Sequence, residues 1–224
     1  MADFEEQYLK LVFNQEEVFA TSPDPTHYVL ESSGKMFLTD LTQKESIEIG
    51  EFKTVIVDVD SAMDDNYSLI EIFDIRQSLY DYTNLYNMKS WEFKKSVLDV
   101  LDDEPFDFNL LIIDRLTIYP KFRGKNLGLV TLRTLIRRLS HGVGLIVLKP
   151  FPLQFESTYK DGKNSDHYKE LGFDLFSDTE EKAEMKLVNY YEKMGFRKVR
   201  RLDYMVRSPD IVLPDIEEFR SGLS

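Results

Sequence analysis

From Leu110 onward the chain alternates strand and helix, and that order limits the fold more than any other feature. Leu110 to Tyr119 reads as a strand stopped by Pro120. Asn126 to Ser140 reads as a helix with Leu129, Leu132, Ile136 and Leu139 on one face, and its arginines lie late, at the negative end of the helix dipole. Gly142-Val143-Gly144 breaks the chain before Leu145 to Leu148, an apolar run of the kind found in buried strands. Glu180 to Met194 is a charged helix with Leu187 and Val188 inside it, and Gly195 follows as a C-cap. Lys198 to Val206 reads as a last strand. A β–α–β–α–β order predicts an α/β fold, a mixed sheet with helices on its faces.

The preceding residues are expected to be β-rich first and helical later. Phe4, Leu9, Leu11 and Phe13 suggest a short helix that ends at Ser22-Pro23-Asp24-Pro25. Tyr28-Val29-Leu30 and Met36-Phe37-Leu38 flank Ser32-Ser33-Gly34, which reads as a hairpin turn. Ser46–Ile49 and Thr54–Val59 alternate as strands around Gly50. From Asp65 the period is helical: Leu69, Ile72, Phe73, Leu79 and Tyr80 mark one helix, and Trp91, Val97, Leu98 and Leu101 a second. No repeat or long linker divides the chain, so residues 1–224 are read as a single domain, with 1–107 supplying acidic strands and inserted helices.

Charge and composition narrow the function. Residues 1–107 hold 8 basic and 24 acidic side chains; residues 108–224 hold 20 and 16. A net charge of −12 argues against non-specific nucleic-acid binding. With no cysteine, a thiolate nucleophile and a disulfide framework are excluded. His27, His141 and His167 show no ligand spacing, so no metal is expected. No apolar run is long enough to span a membrane, and the acidic N-terminus does not read as a signal peptide; the expected setting is cytoplasmic, with no membrane partner.

The chemistry concentrates in Leu116-Thr117-Ile118-Tyr119-Pro120-Lys121-Phe122-Arg123-Gly124-Lys125-Asn126-Leu127-Gly128. A strand runs into a basic, glycine-containing turn that opens a helix. Such a turn leaves backbone N–H groups unpaired at the helix N-terminus, and Gly124 and Gly128 let the backbone approach a ligand closely. With Arg123 and Lys125 beside them, these groups suit a diphosphate. The segment lacks the Gly-Lys-Ser/Thr of a Walker loop.

This stretch resembles the acyl-CoA signature of the GNAT superfamily of acyl-CoA-dependent N-acyltransferases. Asn189-Tyr190-Tyr191-Glu192-Lys193-Met194-Gly195-Phe196 is similar to a second motif of that family, in the expected order. The resemblance covers about residues 108–206, which would form the acetyl-CoA-binding core. It implies a mostly antiparallel central sheet with helices on both faces and a splayed parallel strand pair. It also implies transfer of an acetyl group from acetyl-CoA to a primary amine by direct attack. Backbone groups of Leu116, Thr117 and Ile118 would pair with the pantetheine arm, with the Ile118 N–H facing the thioester oxygen. Arg123, Gly124, Lys125, Asn126, Leu127 and Gly128 would wrap the pyrophosphate. Tyr191 would protonate the departing thiolate, against the alternative that it only packs its helix on the sheet.

Asn126 stands where the family usually has glycine, and Asn tolerates left-handed geometry better than most residues. The helical residues between Val59 and Leu110 also depart from the family order, leaving the substrate side outside the likeness. Asp114 is a candidate general base; Asp58 and Asp60, read as sharing one strand face, are others. Lys149, Phe151 and Gln154, with Pro150 and Pro152, are placed to border the acyl group. The run Arg197, Lys198, Arg200 and Arg201 is read as balancing the acidic half, with contact to a CoA phosphate as the alternative, and Tyr80, Tyr82, Tyr86 and Trp91 as core, with a cage for a cationic ligand as the alternative. The acidic half favours a cationic amine acceptor by steering. The alternative function is a non-catalytic CoA-binding or protein-interaction module of the same shape.

Overall fold

The computed structural model describes residues 8–15, 22, 24–40, 42, 44–102, 104–156, 166–176 and 179–220. Strands β1 (Tyr8–Gln15), β2 (Val29–Thr39), β3 (Ser46–Val57), β4 (Leu110–Ile118), β5 (Leu145–Leu148), β6 (Arg197–Lys198) and β7 (Met205–Arg207) form one sheet, in the order β1-β2-β3-β4-β5-β7-β6. Neighbours are antiparallel except β4 and β5, which are parallel. The fold is therefore α/β, with a mixed and mostly antiparallel sheet drawn from both halves of the chain. No described helix is long and apolar enough to cross a membrane.

Strand alternation divides the core in two. Leu110, Ile112, Leu145 and Val147 face one side of the sheet, where they meet the short helices α1 (Val59–Asp64), α2 (Leu69–Phe73), α3 (Gln77–Tyr80) and α4 (Lys95–Leu98). Leu111, Ile113, Ile146 and Leu148 face the other side, against α5 (Leu127–Leu139). Leu129, Leu132, Leu135 and Ile136 form the buried stripe of α5. Three further helices are α6 (Asp166–Glu170), α7 (Glu180–Glu192) and α8 (Glu217–Arg220).

Several expectations for the first hundred residues are corrected. Tyr8–Gln15 is a strand, not a helix; Leu9, Leu11 and Phe13 recur every second residue and pack on one sheet face. Phe4 lies outside the described residues. Ser32-Ser33-Gly34 is no turn but the middle of β2. Gly34 sits between Phe13 and Phe52 in register, and a side chain there would collide with Phe52 and the Val12 carbonyl. The missing Cβ lets the two rings meet edge to face at 4.9 Å. Ser46–Ile49 and Thr54–Val59 are parts of the single strand β3, which ends at Val57 because the Asp58 side chain caps α1. The two expected helices over 69–101 are broken into short helices of four or five residues. One is started by a Ser68–Glu71 capping box, and Trp91 sits at a left-handed φ of 68° outside any helix. Lys198–Val206 is a hairpin of β6 and β7, reversed where Arg201 adopts φ 65°.

Arg207 on β7 is fully buried, and its donors go to carbonyls rather than to an acid. Nε donates to Met194 O at 2.8 Å, and the terminal nitrogens donate to Ser208 O at 2.9 Å and to Ile211 O. Burial lowers its pKa to about 10, so it remains charged at neutral pH. The following segment lies along α5, where Arg133 Nε donates to Pro214 O at 2.7 Å and Asn126 Nδ2 to Phe219 O at 3.2 Å. Arg207→Met takes this donor from three carbonyls, two of them in buried bonds, and the expected loss is about 3 kcal/mol in a denaturant titration. A loss below about 0.5 kcal/mol would show that these bonds do not hold the segment.

Candidate functional site

The site begins where two strands part. β4 and β5 pair from Leu110 opposite Leu145 only as far as Ile113 opposite Leu148. On the other edge of β4, Lys53 faces Arg115 and Thr54 faces Ile113, so Asp114 is an extra residue in the ladder. A bulge of this kind bends its strand. Beyond it β4 keeps β3 as neighbour through Ile118 but has no pairing with β5, which leaves one backbone edge open.

The gap opens into a cavity of about 810 Å³. Ile113 to Ile118 make one wall, Tyr190 and Tyr191 of α7 line another, and the turn before α5 closes one end. The Thr117 hydroxyl is buried without a hydrogen-bond partner among the described residues. Lys149, Phe151, Pro152 and Gln154 border the cavity, whereas Pro150 is not part of the lining.

The turn has the backbone form that its residues suggest. Gly124 has φ 77°, with nothing within 4 Å of where a Cβ would stand, so its left-handed backbone alone calls for glycine. Asn126 has φ 55° and immediately precedes α5. The Leu127 and Gly128 N–H groups lie in the first turn, where no intrahelical acceptor exists. The Asn126 amide is engaged by Phe219 O, so what this residue offers the turn is its backbone.

Arg123 does not extend a free charge into the cavity. Its Nε donates to Ile118 O at 2.8 Å, and its terminal nitrogens donate to Leu171 O at 2.5 Å and Gly172 O at 3.5 Å. The guanidinium also lies over the rings of Phe173 and Phe176, at 5.9 and 5.0 Å from their centroids. Burial lowers its pKa. The arginine read as a diphosphate ligand thus fastens residues 171–176 to the turn, an arrangement set by carbonyls some fifty positions away. Lys125 is outside the cavity lining, while Lys186 on α7 is within it. Lys186 escaped the sequence reading, although it lies four residues before Tyr190 and so on the same helix face.

Tyr191 lines the cavity, and burial pushes its phenol up to about 12. Tyr190, not foreseen as a site residue, sits over Gly128: a Cβ there would be 2.5 Å from the Tyr190 hydroxyl. Burial raises that phenol too. Asp114 is on the cavity wall, with Lys53 at 3.8 Å. Asp58 and Asp60 are not. Asp58 caps α1, and Asp60 accepts the Phe108 N–H at 3.0 Å with its pKa raised by burial. Arg197 pairs with Asp102 through two bonds of 2.8 Å, and Lys198 with Glu184 at 2.6 Å, so both bases balance acids. Tyr82 and Tyr86 are core, Tyr82 also bordering the cavity, whereas Tyr80 is exposed.

No group of three or more His, Asp or Glu side chains among the described residues could hold a metal ion. No protein-family model, curated protein or solved structure matches the chain. The local geometry makes its own forecast: Arg123→Ala should speed amide exchange over Leu171–Phe176 by about tenfold while leaving the centre of α5 unchanged. Equal protection in both proteins would mean that the guanidinium does not secure that segment.

Proposed function

We propose that the chain is an N-acyltransferase of the GNAT type, moving an acetyl group from acetyl-CoA to a primary amine. The observation that carries this reading is the parting of β4 from β5 in front of a left-handed turn and a helix N-terminus. It joins an open strand edge, suited to an amide-bearing arm, to a set of N–H groups suited to a diphosphate. Leu116, Thr117 and Ile118 supply the edge, and the Ile118 N–H is the donor for the thioester oxygen. Gly124, Asn126, Leu127 and Gly128 supply backbone donors, with Lys186 as the nearby charge. The unpartnered Thr117 hydroxyl fits a wall that a polar ligand completes.

In the reaction, a new C–N bond forms as the C–S bond breaks. Asp114 accepts the proton that the amine must lose, and Tyr191 delivers one to the leaving sulfur. A phenol raised to about 12 is protonated throughout the neutral range, so Tyr191 begins as an acid. No covalent enzyme intermediate is required, which suits a chain without cysteine. The anchoring of Arg123 to carbonyls favours the second reading, a module that binds CoA, or nothing, without turnover.

Calorimetry with acetyl-CoA separates the two. The acyltransferase should bind with a micromolar Kd, about −8 kcal/mol. Tyr191→Phe should keep that affinity within about twofold and lower amine-dependent CoA release at least about tenfold. Unchanged turnover in Tyr191→Phe would remove the acid role, and no binding by the wild type would remove the function. The rate should show no loss from Tyr191 ionisation as pH rises from about 7 to 10, because its pKa lies above that window.

A further inference from the structure

The acceptor end of the cavity holds polar groups that acyl transfer leaves unused. Tyr82 and Tyr204 stack with ring centroids 4.9 Å apart; each is only 6% exposed, and both line the cavity. Neither phenol has a hydrogen-bond partner among the described residues. Burial raises both pKa values, and nearby carboxylates add to the effect: Asp114 and Asp81 at Tyr82, Asp81 and Asp203 at Tyr204. Two buried, protonated phenols therefore open onto a space bordered by acids. A ligand with N–H donors would find these oxygen atoms facing the cavity and free to accept.

The cations around this space are already matched. Glu31 takes both Arg76 and Lys53, and Lys53 is shared with Asp114. Arg115 holds Glu156 through bonds of 2.9 and 2.7 Å, and Lys149 lies 3.9 Å from Asp203. Asp81, at the mouth beside Tyr82, has no ion-pair partner among the described residues. Its exposed position lets it draw in a cation without a large desolvation cost.

We infer that the acceptor carries a second positive charge: it is a diamine or a dibasic chain whose reacting amine lies by Asp114 and whose distal ammonium rests among Asp81, Tyr82 and Tyr204. The distal ammonium donates to the phenol oxygens and to the Asp81 carboxylate and keeps its protons, while the other nitrogen becomes the nucleophile. The inference deepens the acyl-transfer reading and rests on it only for which end reacts.

The test is calorimetric titration of the full chain at pH 7, without an acyl donor, using 1,5-diaminopentane, pentylamine and glutarate. The wild type should bind the diamine about tenfold more tightly than pentylamine and should not bind glutarate. Asp81→Asn, at an exposed position, should remove the advantage of the diamine. Tyr82→Phe, which keeps the ring, should reduce it. Equal binding of diamine and monoamine by the wild type, or an advantage that survives Asp81→Asn, would overturn the inference. Asp81-dependent diamine binding in a protein that fails to bind acetyl-CoA would uphold it and sink the acyltransferase reading. Acetyl-CoA binding with no diamine advantage would do the reverse.

Discussion

Two parallel strands that stop pairing after four residues expose backbone groups that must find other partners, and the rest of the site is arranged around that need. The extra residue at Asp114 turns β4 aside, and the strand then runs on past β5 to Ile118 with one edge open. The opening lies beside the turn that enters α5, and α7 brings two tyrosines across from it. A strand edge, a helix N-terminus and an aromatic wall thus converge because one ladder is interrupted.

Electrostatics divides the same cavity. The end near α5 has Lys186, whereas the opposite end has Asp81, Asp114 and two phenols beside Lys53, Arg115 and Lys149, which are held in ion pairs. Arg123 belongs to neither end, since carbonyls and aromatic faces hold its guanidinium. A cation satisfied by carbonyls recurs at Arg207, fully buried there, where it secures the chain beyond β7. In both places the arginine serves as a multi-directional donor that joins segments distant in sequence.

The strand–helix order after Leu110 was legible because its periods are long and unmixed: α5 carries a clean apolar stripe, and β5 is uniformly apolar. The turn was legible for a similar reason, since Gly124 and Asn126 are the residue types that left-handed backbone selects. The earlier half was harder to read. Gly34 resembles a turn residue, yet it serves the packing of Phe13 on Phe52, a contact made by strands remote from each other in sequence. The site residues that escaped notice, Tyr190, Lys186 and Tyr204, reach the cavity only through tertiary packing. The partners of Arg123 are likewise invisible in its own neighbourhood.

The tie between Asn126 and the Phe219 carbonyl has a consequence for how the molecule is made. Strands β1 to β4 neighbour one another in chain order, so they can assemble as they leave the ribosome. The turn before α5 emerges soon afterwards, but the carbonyl that holds its asparagine is more than ninety residues further on. Until that stretch is synthesised, α5 and its turn also lack the Arg133–Pro214 bond and the buried Phe219 ring. The cavity-facing turn is thus among the last features to be completed on a nascent chain, after the sheet beneath it has already formed.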